Sequence, residues 1–301
     1  MYPGRYDNCP CGSGRKSKWC CLTTDGRWHK RPATVFPPPP KTEYSNPKCY
    51  AAFSSDCSTK ICREHYISKN VLSKIDGTGF VKAAGLGWQQ PETFSTLPVE
   101  AIVARVLCIR HGEGFGVLDA EFGRFFGLLE QIDDALRERY VRAFSLFSGE
   151  DIERWMLKVL LGGEASNNLP ARLKDECLQI LYGITPWPVG WGIYLQASSE
   201  KPIYHSNSIR IEIFSNPSTG RTVAVRFEVR GLPFLLCLGV PDSPAGIGIY
   251  RPRKIVLAKG KSEWTIEFSW SDISLQKFIR FERQASYDGS PPDWREWERK
   301  G

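Results

Sequence analysis

The sequence predicts a mixed α+β protein, with a small cysteine-rich module first, a helical middle, and an antiparallel β domain last. Three observations carry this expectation. Four of the ten cysteines crowd into residues 9–21. Apolar residues then recur at spacings of three and four between Leu118 and Leu160, the period of helices with a buried face. From Ile209 onward the period falls to two, as in strands with one face on a core.

A chain of 301 residues can bury a substantial core and is expected to divide into more than one domain. The opening MYPGRYDNCP lacks the charged-then-apolar pattern of a secretory signal, and no later apolar run reaches the length of a membrane span. A soluble, cytoplasmic protein is expected. In that reducing compartment a cysteine cluster points to metal or catalysis more than to disulfides. The net charge of +7 favours acidic partners, nucleic acid or an anionic membrane surface, although the excess is modest for this length.

In CPCGSGRKSKWCC, Cys9 and Cys11 form a Cys-x-Cys pair, and the adjacent Cys20 and Cys21 follow after eight residues. A tetrahedral zinc ion takes four soft ligands converging from two tight turns, and Gly12 and Gly14 let the backbone fold back after the first pair. Chance seldom spaces four ligands this way in a loose tail. The stretch resembles the SEC-C motif, the zinc-binding module first described at the C-terminus of the bacterial preprotein translocase ATPase SecA. The match includes the Cys-Pro-Cys-Gly-Ser-Gly opening, the basic linker and the closing Cys-Cys, over about the first 22 residues. The module has no core of its own, so zinc would supply its folding energy, on the order of 10 kcal/mol or more in comparable peptides. Arg15, Lys16 and Lys18, then Arg27, Lys30 and Arg31, make this end a basic knob. The resemblance implies that such a knob docks on other proteins or acidic surfaces.

Residues 1–24 are read as this zinc module, and residues 25–47 as a proline-rich linker. The four prolines at 37–40 exclude helix and central strand, so the linker is expected to be an extended, semi-rigid spacer that holds the knob away from the body.

Residues 48–185 hold a second candidate ligand set. Cys49 and Cys57 form one pair, and Cys108 with His111 forms a Cys-x-x-His knuckle that runs into an amphipathic helix. Cys62 could replace either early thiol. Two knuckles and a following helix describe a treble clef, whose zinc would clamp segments about fifty residues apart. Between the pairs stand Glu64 and His65, in a layout that resembles the HNH endonucleases and their ββα-metal relatives. That resemblance implies His65 as general base, Glu64 as metal ligand, and Asp119 or Glu121 where a late histidine is usual. The chain departs from the family in two respects. Gly112 replaces the asparagine that tethers the catalytic loop, and none of the four histidines (His29, His65, His111, His205) occupies the late position. The alternative reading of Glu64 and His65 is a structural pair, and of Asp119 a helix N-terminal acid.

The scaffold follows in order. Leu118, Phe122, Phe125, Phe126, Leu129, Ile132 and Leu136 predict a core-facing helix. Ser148 and Asp151 match a capping box before Ile152, Trp155, Met156, Val159 and Leu160, with Gly162 as the stop. A third helix around ARLKDECLQILYG ends at Gly183. Residues 186–275 are expected to form the antiparallel β domain, a sandwich or open barrel. Its hairpin pairs Ile209–Ile213 with Val223–Val229, and further runs lie at Trp191–Gln196, Phe234–Val240, Lys254–Ala258 and Trp264–Trp270. Cys177 and Cys237 read as inert core thiols. Residues 276–301, with Trp294 and Trp297, form a tail. The chain has no phosphate-binding glycine loop, nucleophile elbow or dinucleotide fingerprint.

Together these residues predict a zinc-binding protein whose basic module docks on a protein partner or on nucleic acid, DNA or RNA. One zinc ion is expected at Cys9, Cys11, Cys20 and Cys21, and a second at Cys49, Cys57, Cys108 and His111. The alternative is an HNH-like nuclease using Mg²⁺ or another divalent ion, with His65 as base. A weaker third reading makes the β domain a small-ligand module.

Overall fold

The computed structural model describes residues 2–84, 86–90, 93–138, 140–196, 209–240, 247–271 and 278–282. Trp294, Trp297, His205 and most of the 276–301 tail lie outside the described residues. The described residues form an α+β architecture with four α-helices and three sheets. None of these helices is long and apolar enough to cross a membrane.

The helical middle begins with α1 (Lys69–Asp76), which leads into a hairpin of β1 (Phe80–Ala84) and β2 (Phe94–Pro98). Then comes α2 (Ile109–Glu138), a 30-residue helix. All seven predicted core positions on it are buried. It starts nine residues before Leu118, because Gly112, Gly114 and Gly116 hide the apolar period in its first two turns.

After β3 (Arg142–Ser148) the chain turns directly into α3 (Gly149–Ala165). The predicted cap is present, with the Asp151 N–H donating to Ser148 Oγ at 3.2 Å. The helix does not stop at Gly162. It continues to Ala165, since Gly162 and Gly163 lie against Tyr66 and Leu169 and serve packing rather than termination. Almost every residue of α3 is buried, so it is a central helix and not a half-exposed one. Trp155 stacks flat on Phe122 of α2, with ring centroids 3.4 Å apart. A short α4 (Glu176–Leu181) follows, with Gly183 at φ 70° just beyond it.

The C-terminal antiparallel sheet has five strands in the order β5-β6-β7-β4-β8. They are β4 (Gly192–Leu195), β5 (Ile209–Ser215), β6 (Thr222–Val229), β7 (Leu232–Cys237) and β8 (Ile249–Tyr250). The predicted hairpin is β5–β6, with Ile211 opposite Phe227. The remaining strands do not join this sheet. β9 (Lys254–Lys259), β10 (Ser262–Ser269) and β11 (Phe278–Glu282) combine with β3 in a mixed sheet of order β11-β9-β10-β3. In it β3 runs parallel to β10, and β11 parallel to β9. Alternation marks each strand but carries no information about a parallel partner more than a hundred residues away. One buried cluster, including Phe125, Phe147, Trp155, Phe234 and Phe268, joins the helices to both larger sheets.

The N-terminal segment is not held off from this body. Leu146 on β3 donates its N–H to the Pro10 carbonyl at 3.2 Å, and Trp28 packs on Phe144 with centroids 5.5 Å apart. The expected spacer lies along the surface. The Lys30 N–H donates to Ser269 Oγ at 2.9 Å, the Ala33 N–H to Asp151 at 3.0 Å, and Arg110 reaches the Pro40 carbonyl at 2.8 Å. Side chains distant in sequence satisfy its backbone, which composition alone does not disclose.

Candidate metal centres

Cys9, Cys11, Cys20 and Cys21 converge so that their sulfur atoms lie within 4.8 Å of one another. Two turns achieve this. Gly12 and Gly14 take φ of 77° and 73°, which a side chain would strain, and the Cys9 N–H donates to the Arg15 carbonyl at 2.7 Å. The second pair follows a single 3₁₀ turn at Ser17–Trp19. The Sγ atoms of Cys11 and Cys20 are 3.5 Å apart, and those of Cys20 and Cys21 3.7 Å. Zinc–sulfur bonds of ~2.3 Å at a tetrahedral centre put sulfurs about 3.8 Å apart, so the four thiols fit a zinc ion. Ser13 Oγ at 3.1 Å and Arg15 Nη2 at 3.4 Å from Cys20 Sγ are placed to stabilise a thiolate. Burial pushes the Cys9 thiol up to about 11, whereas the hydrogen bond with Cys21 pulls Cys11 far below its ordinary value. A thiolate is therefore already favoured within the cluster, and a bound dication would deprotonate its neighbours too.

Cys49, Cys57, Cys108 and His111 form the second group, again with ligand atoms within 4.8 Å, and all four are buried. His111 Nδ1 lies 3.1 Å from Cys108 Sγ, 3.5 Å from Cys49 Sγ and 3.7 Å from Cys57 Sγ. Mixed zinc–sulfur and zinc–nitrogen bonds predict about 3.5 Å for such pairs. Ser54 Oγ sits 2.9 Å from His111 Nε2 and aims Nδ1 at the thiols. Cys108 immediately precedes α2 and His111 sits in its first turn, while a 3₁₀ turn at Ala52–Ser54 separates the early cysteines. Asn46 closes that loop by donating to the carbonyls of Ser58 and Thr59. Burial lowers the His111 pKa and so favours the neutral ring that a metal needs. Burial also opposes ionisation of Cys108, yet the backbone N–H groups of His111 and Ser58 bring its pKa below the usual thiol value. Cys62 stands apart from this group and donates its thiol to the Leu107 carbonyl at 3.1 Å.

The Glu64–His65 dipeptide splits between two environments. His65 Nε2 lies 3.2 Å from the Val99 carbonyl and 4.0 Å from Glu100, and burial lowers its pKa. Glu64 turns to the Lys158 ammonium at 2.6 Å, and burial raises its carboxyl pKa despite that partner. Asp119 takes the same lysine at 2.8 Å and accepts from Ser68 Oγ and from Trp155 Nε1. Glu121 lies elsewhere, with Lys30, Arg124 and the Ser148 N–H. A Cβ on Gly112 would sit 3.0 Å from Cys62 Sγ and 3.4 Å from Glu64 Oε2, so the asparagine of the HNH pattern would crowd both side chains. Lys158 is the residue that sequence reasoning missed. Its signal was a lone cation in the otherwise apolar run WMLKVLLGG. Cys177 and Cys237 are buried, and burial pushes both thiols up to about 11, in keeping with inert core positions.

Two groups of Cys and His side chains can therefore each hold a metal ion, one in the N-terminal knob and one at the start of α2. No protein-family model matches the chain, and neither a curated protein nor a solved structure matches it.

Proposed function

We propose that this chain is a zinc protein with two structural zinc ions, whose N-terminal module docks on a nucleic-acid or nucleoprotein partner. The observation that carries the reading is the convergence of two complete four-ligand sets at spacings a tetrahedral zinc ion requires. Neither set leaves a position for water or substrate, which suits a structural ion better than a catalytic one. Cys9, Cys11, Cys20 and Cys21 would fold the knob, while Cys49, Cys57, Cys108 and His111 would fasten the 44–62 loop to α2. The partner class rests on charge. The first 31 residues carry seven Lys/Arg against two Asp, a local excess of +5 in a chain of net +7.

Glu64 and His65 enter this reading as structural residues, engaged with Lys158 and with the Val99 carbonyl. The test is elemental analysis of the purified protein. Two zinc ions per chain are expected, falling to one in Cys11→Ser and to one in Cys108→Ser. Zinc absent from the wild type would sink the proposal. Incubation of the same protein with DNA and RNA in Mg²⁺ or Mn²⁺ is expected to leave both intact. Cleavage abolished by His65→Ala would replace this reading with the HNH-like nuclease.

A further inference from the structure

The knob displays two large aromatic rings to solvent. Tyr6 is 69% and Trp19 68% exposed, which is unusual for residues that normally contribute buried area. They are not loose. The Lys18 N–H donates to the Arg5 carbonyl at 3.0 Å and the Ser17 N–H to the Asp7 carbonyl at 2.9 Å, so the 5–8 and 16–19 segments run side by side. Asn8 and Lys16 continue this pairing as an antiparallel bridge. Ser17 is wholly buried beneath, and both segments are tied to the four-cysteine cluster. The Lys18 ammonium lies 4.2 Å from the centroid of each ring, so both rings share one cation. Arg5 and Lys16 are exposed beside them.

We infer that Tyr6, Lys18 and Trp19 form a stacking platform for single-stranded nucleic acid, with Arg5 and Lys16 taking the phosphates. The inference rests on the proposed docking role of the knob and names its ligand. An acidic surface such as a run of carboxylates would use the cations, but its charge alone does not reward two exposed rings held in place. A duplex would offer phosphates yet hides the faces of its bases. Unpaired bases offer both a π-face and a backbone charge, which is the pairing of features found here. Base–aromatic stacking tolerates any sequence, so little sequence preference is expected.

The test measures binding of the full-length, zinc-loaded protein to labelled single-stranded RNA and DNA of about 12 nucleotides, a duplex of equal length, and a poly-glutamate peptide. Single strands are expected to bind tighter than the duplex or the peptide. Trp19→Ala and Tyr6→Ala are each expected to weaken single-strand binding by roughly 5- to 100-fold, while Trp19→Phe retains most of it. Lys16→Ala should reduce the salt dependence by about one charge, whereas Trp19→Ala leaves it unchanged. Zinc content, read on every sample, is expected to equal that of wild type, because both rings are exposed. Equal binding to duplex and single strand, unaffected by Trp19→Ala, would overturn the stacking platform and leave a basic knob that binds nucleic acid by charge alone. Preference for the acidic peptide would overturn the ligand class. Zinc-loaded protein that binds none of these would overturn both the platform and the nucleic-acid reading.

Discussion

Lys158 Nζ lies 2.6 Å from Glu64 Oε1, with the lysine side chain only 1% exposed. Asp119 completes the pairing from α2 at 2.8 Å, so one buried cation joins α3, α2 and the loop before α1. Burial opposes the charge on Lys158, but the two carboxylates outweigh it and raise the lysine pKa. Lys158→Met should therefore destabilise the fold by about 3–5 kcal/mol, because two carboxylates lose their buried partner. Glu64→Gln should cost less, since Asp119 still balances the lysine. Urea denaturation of the two variants checks the order. A Lys158→Met protein as stable as wild type would show that the lysine is dispensable.

The two candidate metal groups should differ in what their loss does. Cys108 lies in the main buried cluster and His111 packs edge-on against its Tyr182, whereas the first group clusters with Leu146, Phe144 and Trp28. Cys108→Ser is expected to lower the temperature of the main calorimetric transition or abolish its cooperativity. Cys11→Ser is expected to leave that transition nearly in place while removing one zinc. Identical thermograms for the two variants would contradict this division.

Gly112→Asn, which restores the residue of the HNH pattern, is expected to destabilise by about 1–3 kcal/mol through overpacking on Cys62. Cys62→Ala in the same chain should return part of that loss, a coupling readable by a double-mutant cycle. Additive effects would mean that the two positions do not meet.

Glu153 on α3 is fully buried, accepts from the Ile193 N–H at 2.8 Å and pairs with Arg251 at 3.0 Å. Burial lifts its carboxyl to about 7 from an ordinary 4.5, in spite of Arg251. Between these values the folded state binds more proton than the unfolded one, so this contribution to stability is complete below pH ~4.5 and fades as pH rises through 7. Wild type should lose stability relative to Glu153→Gln between pH 5 and 8, by on the order of 1–3 kcal/mol. Urea titrations at several pH values in saturating zinc give the difference directly, and a pH-independent gap would refute it.

Much of this architecture was legible because each local signal had one physical meaning. The Leu118–Leu136 period, the Ser148 cap and the Ile209–Val229 hairpin are local, and all three are present. The convergence of the two cysteine groups was legible because any group that could hold a metal draws on donor atoms of a few kinds. What could not be read was pairing at a distance. Nothing in RAFSLFS announces a parallel partner in β10, and nothing in the proline run announces that Arg110 receives its carbonyl groups. Lys158 was missed for a related reason. A lysine reads as surface until the carboxylates that bury it are known, and these come from positions 64 and 119.

The bond from Leu146 to Pro10 has a further consequence, because β3 ends the row of strands in its sheet. Such a strand presents unpaired amides and carbonyls, a template for adding another molecule's strand. Here the Leu146 N–H is taken by Pro10, its carbonyl by Arg124 and the Ser148 N–H by Glu121, while Tyr2 and Trp28 cover Phe144. The cysteine knob thus covers this edge of the sheet at Leu146. Chelating the zinc proposed for the knob is expected to uncover that edge and promote self-association, visible as a rise in light scattering before any loss of helix.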